Sequence, residues 1–516
     1  MTTAPEVIEN PQQPPDVPRD VAPDLAASAL RSTDIPRANR IYVNRNLRLD
    51  QIEMVGFDMD YTLALYNQAQ IEELSMRATL HKLVSAKGYP EEIRALAYDP
   101  MLALRGLVVD RLNGNVFKPD RYGYPGRARH GLRPIERAQI GELYQRERTR
   151  LSNRRYAWID SLFALPEAVL YAVLVDYFDR TTTKPDYATM WEHIRECIDL
   201  AHRDGSIKAI VGAQLPGYIE RDPGLPETLH KFRSSGKRLF LLTNSAWDYT
   251  SQVMSYLLDE GPEGGDRAYP ASYPSWRHYF DVIVVSAGKP EFFTEERPFV
   301  ELDGNGQPLA KGNGSANGGA FQRGRVYAGG NIRDFQERAK ASGDRVLFVG
   351  DHIYGDMLRS RKSSNWRTAM VLQELEHEVT THDSLNAELA RLDRLDAELI
   401  HLDSELNERQ SALRALQKMA DSTSHAADKR AIKDAIEKLR RELKLTAAQH
   451  RAVETSVDDG FNPSWGPMFR EGYEISKFGE QVEAYACVYT SRVSNFRFYS
   501  PMQYFRGPRD RMPHER

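Results

Sequence analysis

Two aspartates, Asp58 and Asp60, follow directly on the apolar stretch Ile52–Phe57. Side chains alternate faces along a strand, so carboxylates at i and i+2 point the same way. One can attack an electrophile while the other handles a proton. Turns and metal sites use the same spacing, so the pair takes its meaning from what arrives beside it. Three further apolar runs end in polar groups. Arg238–Leu242 runs into Thr243-Asn244-Ser245, Asp281–Val285 into Ser286-Ala287-Gly288-Lys289, and Arg345–Val349 into Gly350-Asp351-His352, with Asp356 close behind. Together these ends supply a nucleophile, hydrogen bonds for phosphoryl oxygens, a fixed cation and an acidic cradle for Mg²⁺.

Such side chains need a scaffold that gathers four strand ends. Short apolar runs separated by helical patterns are the alternation of a doubly wound, Rossmann-like α/β core, whose sites form at the carboxyl ends of its strands. The expected core has two parts, residues 37–66 and 212–380. The gap between them is far too long for one crossover, so residues 67–211 are expected to form an inserted, mostly helical cap domain. Leu162–Phe178 and Tyr187–Ala201 read as helices in that cap. The polar, glycine-rich stretch Asp303–Gly324 reads as a loop. Leu385, Leu389, Leu392, Leu399, Leu402, Leu406, Leu413 and Leu416 then recur near every 3.5 residues. A break at Asp421-Ser422-Thr423-Ser424 and a second series, Ile432, Ile436, Leu439 and Leu443, predict a helical coiled-coil hairpin over residues 381–455. Such a hairpin either packs on its own body or serves as a partner-binding arm. A C-terminal segment, 456–516, is expected to pack on the core, and the proline-rich residues 1–36 to form a disordered tail.

Composition narrows the class. The chain has 516 residues, 41% hydrophobic and 28% charged, as in soluble globular proteins. Its length allows about three domains. A formal charge of −4 gives no basic field for nucleic-acid phosphates. Cys197 and Cys487 exclude a disulfide framework and a cysteine zinc site. No apolar run approaches the roughly 20 residues of a membrane span, and the first residues do not read as a secretory signal. A cytoplasmic protein is expected. Asp351-His352 lacks further zinc ligands at suitable spacing, and Gly329-Gly330 opens no dinucleotide fingerprint.

The four strand ends, in this order, resemble the signatures of the haloacid-dehalogenase-like phosphohydrolases. GFDMDYTLALY, AYDP, RGLVVD, LFALPE, LVDYF, VGDHIYGDML and MPHE are similar, more narrowly, to the cytosolic purine 5′-nucleotidase family over most of residues 41–515, the leucine-repeat segment apart. The resemblance implies a Mg²⁺-dependent hydrolase of purine nucleoside 5′-monophosphates, sometimes passing the phosphate to another nucleoside. Carried over by position, Asp58 would be the nucleophile and form an aspartyl-phosphate. Asp60 would protonate the leaving ribose oxygen and then deprotonate water. Dehalogenases generally lack this second aspartate, so its presence favours phosphate chemistry. Thr243, Asn244 and Lys289 would bind the phosphoryl group. Asp58, Asp351 and the Asp60 carbonyl would hold Mg²⁺, with Asp356 acting mostly from behind them.

In RECIDLAHRDGSIK, Arg195, Asp199 and His202 stand at i, i+4 and i+7, on one helix face. Spacing alone describes a solvated face with a charge pair. The resemblance aligns this segment with the family's nucleotide-binding helix, and Lys208 and Phe163 match as well. Phe163 would stack on the purine. Arg195 only donates and ionised Asp199 only accepts, which suits the 6-oxo group and N1–H of hypoxanthine or guanine. IMP and GMP are therefore expected over AMP. Ala164 and Arg203 replace an asparagine and a tyrosine of the relatives, which narrows the expected margin. At the relatives' effector site Lys362 and Gln481 match, whereas Asp160 and Ala484 replace an asparagine and an arginine, so activation by ATP does not follow. The expected partners are purine nucleoside monophosphates and further copies of the chain, without nucleic acid or membrane. Two other readings stay open: a phosphatase of another phosphomonoester, and an assembly protein working through the hairpin.

Overall fold

The computed structural model describes residues 34–144, 153–181, 185–259, 273–309, 319–418, 425–509 and 511–515. Residues 1–33 of the expected tail, residues 310–318 of the glycine-rich loop and the break at Asp421–Ser424 lie outside them. A nine-stranded sheet carries the core. Its strands in chain order are β1 (Tyr42–Val43), β2 (Met54–Phe57), β3 (Arg238–Leu242), β4 (Val282–Val285), β5 (Phe299–Leu302), β6 (Val326–Gly329), β7 (Val346–Gly350), β8 (Arg367–Val371) and β9 (Val488–Thr490). Across the sheet the order is β1-β9-β8-β7-β2-β3-β4-β6-β5. The seven inner strands are parallel. Only the edge strands β1 and β5 run antiparallel, against β9 and β6.

β2 lies mid-sheet, with β3 and β4 on one side and β7 and β8 on the other. That is the switch point at which such sheets open a crevice. All four β2 residues are buried, as expected of a strand covered on both faces. Gly56 answers a close approach: a Cβ there would lie 2.0 Å from Cζ of Phe240 on β3. The Phe240 ring takes the space a side chain would have used.

The cap contributes α1 (Gln68–Lys87), α2 (Leu165–Phe178), α3 (Tyr187–Arg203) and α4 (Ser206–Ala213). α1 starts where the Asn67 side chain accepts from the Gln70 amide and stops at Gly88, with φ 71°. α2 buries 13 of its 14 residues and is the cap's central helix. Helices dominate the cap, but it also carries a five-stranded antiparallel sheet: Leu107–Asp110, Asn115–Pro119, Pro125–His130, Arg133–Pro134 and Tyr156–Ile159. The expectation of a mostly helical cap did not include that sheet. Its strands bury Asp110, Asn115 and Lys118, so no apolar alternation marks them in the sequence.

Beyond the cap come α5 (Trp247–Leu258), α6 (Leu375–Ser384), α7 (Asn386–Lys418) and α8 (Ala426–Phe461). α7 and α8 form an antiparallel hairpin. Asp396 Oδ1 lies 2.8 Å from His450 Nε2, and Thr446 Oγ1 donates to Glu398 Oε1 at 3.3 Å. Leu395, Leu402, Ile436 and Leu439 are buried between the helices. α8 continues past residue 455 to Phe461, where Val453, Val457 and Phe461 cluster with Leu385, Leu389 and Leu392. The hairpin root thus runs beyond the expected boundary, and Arg127 and Tyr473 tie it to the body through Asp458 and Asp396. The C-terminal segment supplies the helix Lys477–Tyr485, then β9, then Tyr504–Phe505, which pairs with Leu47–Arg48. Among the described residues no helix is long and apolar enough to cross a membrane.

Candidate active site

The loops after β2, β3, β4 and β7 meet over the switch point. The Asp58 amide donates to Val349 O at 2.9 Å, which stitches β2 to β7 as both strands end. Asp58 Oδ1 accepts from the Met59 amide at 2.8 Å and from Lys289 Nζ at 2.9 Å. Lys289 Nζ also donates to Asp356 Oδ1 at 2.7 Å. Asp58, Asp351 and Asp356 each bring a carboxylate oxygen within 4.8 Å of the others. Asp356 is fixed from below as well: its Oδ2 accepts from the His352 amide at 3.2 Å. A Cβ at Gly350 would come within 2.5 Å of that same oxygen, so glycine makes room for the carboxylate.

Charge and burial act together here. Burial, countered by Lys289 and reinforced by Asp356 and Asp60, pushes the Asp58 carboxyl up to about 7. Burial and the neighbouring Asp356 raise Asp351 well above the usual carboxylate range, against the pull of Arg105. Burial works against the Lys289 ammonium, yet Asp356 and Asp58 hold it above the ordinary lysine range. Three carboxylates face one ammonium in this cluster. An all-oxygen donor set with more carboxyls than its one ammonium can neutralise fits a hard divalent cation such as Mg²⁺.

Asp60 stands apart from that cluster. Its Oδ1 accepts from Tyr66 Oη at 2.7 Å and its Oδ2 from Ser245 Oγ at 2.7 Å. Tyr66 Oη is in turn 2.8 Å from Tyr249 Oη on α5. Between Asp60 and the short strand Leu65–Tyr66, Tyr61 takes φ 55° and Ala64 bridges back to Asp60. Two carboxylates separated by one residue therefore occupy unlike surroundings, one ionic and one hydroxylic.

The other expected residues fall around these two. Thr243 is fully buried, and its Oγ1 accepts from the Ser245 amide at 3.1 Å. Asn244 spends both ends of its amide on Lys289: Oδ1 accepts from Lys289 N at 2.6 Å, and Nδ2 donates to Lys289 O at 2.9 Å. That clamp fixes the lysine backbone. From the cap, Phe163 packs edge-on against Tyr61 with ring centres 4.7 Å apart, and against His202 at 6.0 Å. Phe163 remains 39% exposed, so its face is open to a ligand. Lys208 on α4 places Nζ 5.1 Å from the centre of the Tyr249 ring. Burial and Lys208 lower the His202 imidazole below its ordinary value. Asp199 is exposed. Arg195 is held: Nη1 donates to both Glu167 oxygens, at 2.6 and 2.8 Å. Burial, opposed by Arg195, still raises the Glu167 carboxyl to about 7.

Several site residues escaped the sequence reading: Tyr66, Ser245, Tyr249, Arg105 and Glu374. Ser245 and Tyr66 lie inside the quoted motifs, so proximity in sequence could have flagged them. Arg105 opens the RGLVVD motif and could have been flagged in the same way, whereas Glu374 carries no local signal.

A family model described as the 5′ nucleotidase family matches residues 41–516. A 5′-nucleotidase domain-containing protein of Dictyostelium discoideum is 28% identical over 482 residues, covering 92% of this chain and 74% of its own length. The human 5′-nucleotidase domain-containing protein 2 is 29% identical over 490 residues, covering 90% of this chain and 84% of its own. Among solved structures, CbbY from Rhodobacter sphaeroides in complex with phosphate aligns at 14% identity and a TM-score of 0.24, covering 62% of this chain and 86% of that one. A score that low bears on nothing at the site. The match across the core, the cap and the C-terminal segment shows that the chain belongs to the 5′ nucleotidase family and is a phosphoric monoester hydrolase.

Proposed function

We propose that this enzyme hydrolyses purine nucleoside 5′-monophosphates through a phosphorylated Asp58. The observation that carries the reading is the division of labour between Asp58 and Asp60, one beside Lys289 and the carboxylate cluster, the other between two hydroxyls. The contacts of Asp58 fall on Oδ1, so Oδ2 is the atom that attacks phosphorus. As the Oδ2–P bond forms, the bond from phosphorus to the ribose 5′ oxygen breaks and Asp60 passes that oxygen its proton. Asp60 then takes a proton from water, whose oxygen displaces Asp58 from phosphorus and releases inorganic phosphate. Tyr66 and Ser245 hold the Asp60 carboxyl at the angle both transfers need. Lys289 neutralises the dianion at the reacting end, and Asn244 fixes the lysine backbone. Mg²⁺, which Asp58 and Asp351 would hold with the Asp60 carbonyl, would supply further positive charge toward the phosphate.

Phe163 is the platform for the base, and Arg195 and Asp199 read its edge. Arg195 keeps its Nη2 and Nε donors while Nη1 rests on Glu167, which supports selection of a 6-oxo purine. IMP and GMP are then preferred to AMP. Phosphate release from IMP, GMP, AMP and a simple aryl phosphate, with and without Mg²⁺, tests the reading. Turnover should need Mg²⁺, fall away in Asp58→Asn, and rank IMP and GMP above AMP in kcat/KM. A full rate in Asp58→Asn would sink the covalent route, and an enzyme indifferent to the base would favour a broader phosphatase.

A further inference from the structure

The carboxylate cluster lies on the core, yet one of its supports comes from the cap. Arg105 stands just before the cap strand Leu107–Asp110, and its side chain is wholly buried. Nη1 donates to the carbonyl oxygen of Asp351 at 2.8 Å. Nε and Nη2 form a fork on Glu374, at 2.7 and 2.6 Å. Glu374 opens α6, immediately after β8. The guanidinium also lies 5.1 Å from the centre of the Phe478 ring, on the helix Lys477–Tyr485. One side chain from the insertion thus fastens three pieces of the core, and one of them is the main chain of a cluster carboxylate.

From this geometry we infer that Arg105 is a positioning residue through which the cap sets the Mg²⁺ affinity of the core. The inference deepens the hydrolase reading and rests on it. The Asp351 backbone turns out of β7 toward the cluster, and a carbonyl pinned by a charged donor fixes where that turn leaves the side chain. The fork on Glu374 makes the donor itself immobile, since a bidentate guanidinium–carboxylate pair has one geometry. Full burial removes water as a substitute partner. Loss of the guanidinium would leave both the Glu374 charge and the Asp351 carbonyl unpaired. Asp351 would then pay reorganisation on every binding of the metal. It follows that the core sheet alone is an incomplete metal site, finished only when the cap is seated.

The test is Mg²⁺ binding to the full chain, measured by calorimetry after removal of divalent ions, beside the Mg²⁺ dependence of IMP hydrolysis. The proteins are the wild type, Arg105→Met, Arg105→Lys and Glu374→Gln. Supports behind metal ligands typically carry about 10- to 100-fold in affinity. Arg105→Met should raise both the Mg²⁺ Kd and the half-activating concentration by that factor, while KM for IMP at saturating Mg²⁺ stays near wild type. Arg105→Lys keeps the charge but not the fork and should recover part of the loss. Glu374→Gln, which frees the guanidinium without deleting it, should fall between, and decides the question if Arg105→Met does not fold. A loss of kcat or Tm with an unmoved Mg²⁺ Kd would overturn the inference, because a merely structural arginine behaves in that way. If wild type binds Mg²⁺ but releases phosphate from no nucleotide, the nucleotidase reading fails while the shift in Kd still judges Arg105.

Discussion

At the scale of single residues, Asp60 is defined by its neighbours more than by its type. Tyr66 and Ser245 occupy its two oxygens, and Tyr249 backs Tyr66. Asp60→Asn should cost about 10²- to 10⁴-fold in kcat, the usual worth of a positioned proton donor. Tyr66→Phe removes the hydroxyl that bonds both Asp60 and Tyr249 and keeps the ring, so a fall of roughly tenfold in kcat with little change in KM is expected, an ordinary return for buried hydrogen bonds. Steady-state kinetics at saturating Mg²⁺ distinguishes the two. A second residue offers a stability test. Glu72 on α1 is 2% exposed, and burial pushes its carboxyl up to about 8. The folded protein therefore keeps a proton that the unfolded chain releases above the usual glutamate range. Its contribution is present at low pH and is lost as pH rises toward 8, at about 1.4 kcal/mol for each tenfold change in proton affinity. Glu72→Gln should raise Tm relative to wild type at pH 8, with the gap closing toward pH 5. An equal gap at both pH values would contradict this account. The aspartates, Lys289 and Asp351 were legible as residues because each ends an apolar run. Their partners were not: 183 residues separate Tyr66 from Tyr249, and 269 separate Arg105 from Glu374.

At the scale of elements, legibility followed burial. Arg238–Leu242 is β3 without a residue's difference, and the other three site strands agree with expectation to within two residues at each end. These strands are sandwiched, so their sequences are continuous apolar runs. β1, with only two residues, and β5 with its mixed exposure offered no such run. The cap sheet was invisible for the same reason, since Lys118 sits at 1% exposure within it. That lysine donates to the carbonyls of Trp465, Pro467 and Arg470, while burial lowers it to about 8. Lys118→Met should cost several kcal/mol, on the order of 3–5, because the Pro467 and Arg470 carbonyls lose this donor and Trp465 and Glu471 keep only Arg127; chemical denaturation measures it. The hairpin shows the opposite case, where leucine periodicity gave the helices but not their anchoring. Arg127 pairs with Asp458, and Tyr473 Oη donates to Asp396 at 2.8 Å, so the root is held by the body. Removing the outer part, residues 403–442, and joining Leu402 to Leu443 by a short Gly/Ser turn should leave kcat and Tm nearly unchanged. Removing residues 383–455 should lower Tm sharply, since it deletes Leu385, Leu389, Leu392, Leu395 and Val453 and leaves Val457 and Phe461 uncovered.

At the scale of the whole molecule, the proposed catalysis depends on two bodies meeting face to face. The core offers the aspartates and Lys289, and the cap offers Phe163, Lys208 and Arg105. Both lie on one chain, but the sheet between them is closed by its most distant parts. β9 slots between β1 and β8, and Tyr504–Phe505 pairs with Leu47–Arg48. A ribosome making this chain releases β2, β3, β4 and β7 long before the strand that completes their sheet has left the exit tunnel. Until then β8 presents an open parallel edge, which is slow to close and prone to pair with other chains. Nascent chains stalled before residue 488 should therefore remain protease-sensitive in the core and bind chaperones, and should become resistant only when a C-terminal linker carries residue 505 clear of the tunnel or the chain is released. The strand that completes the sheet is made after all eight that it joins.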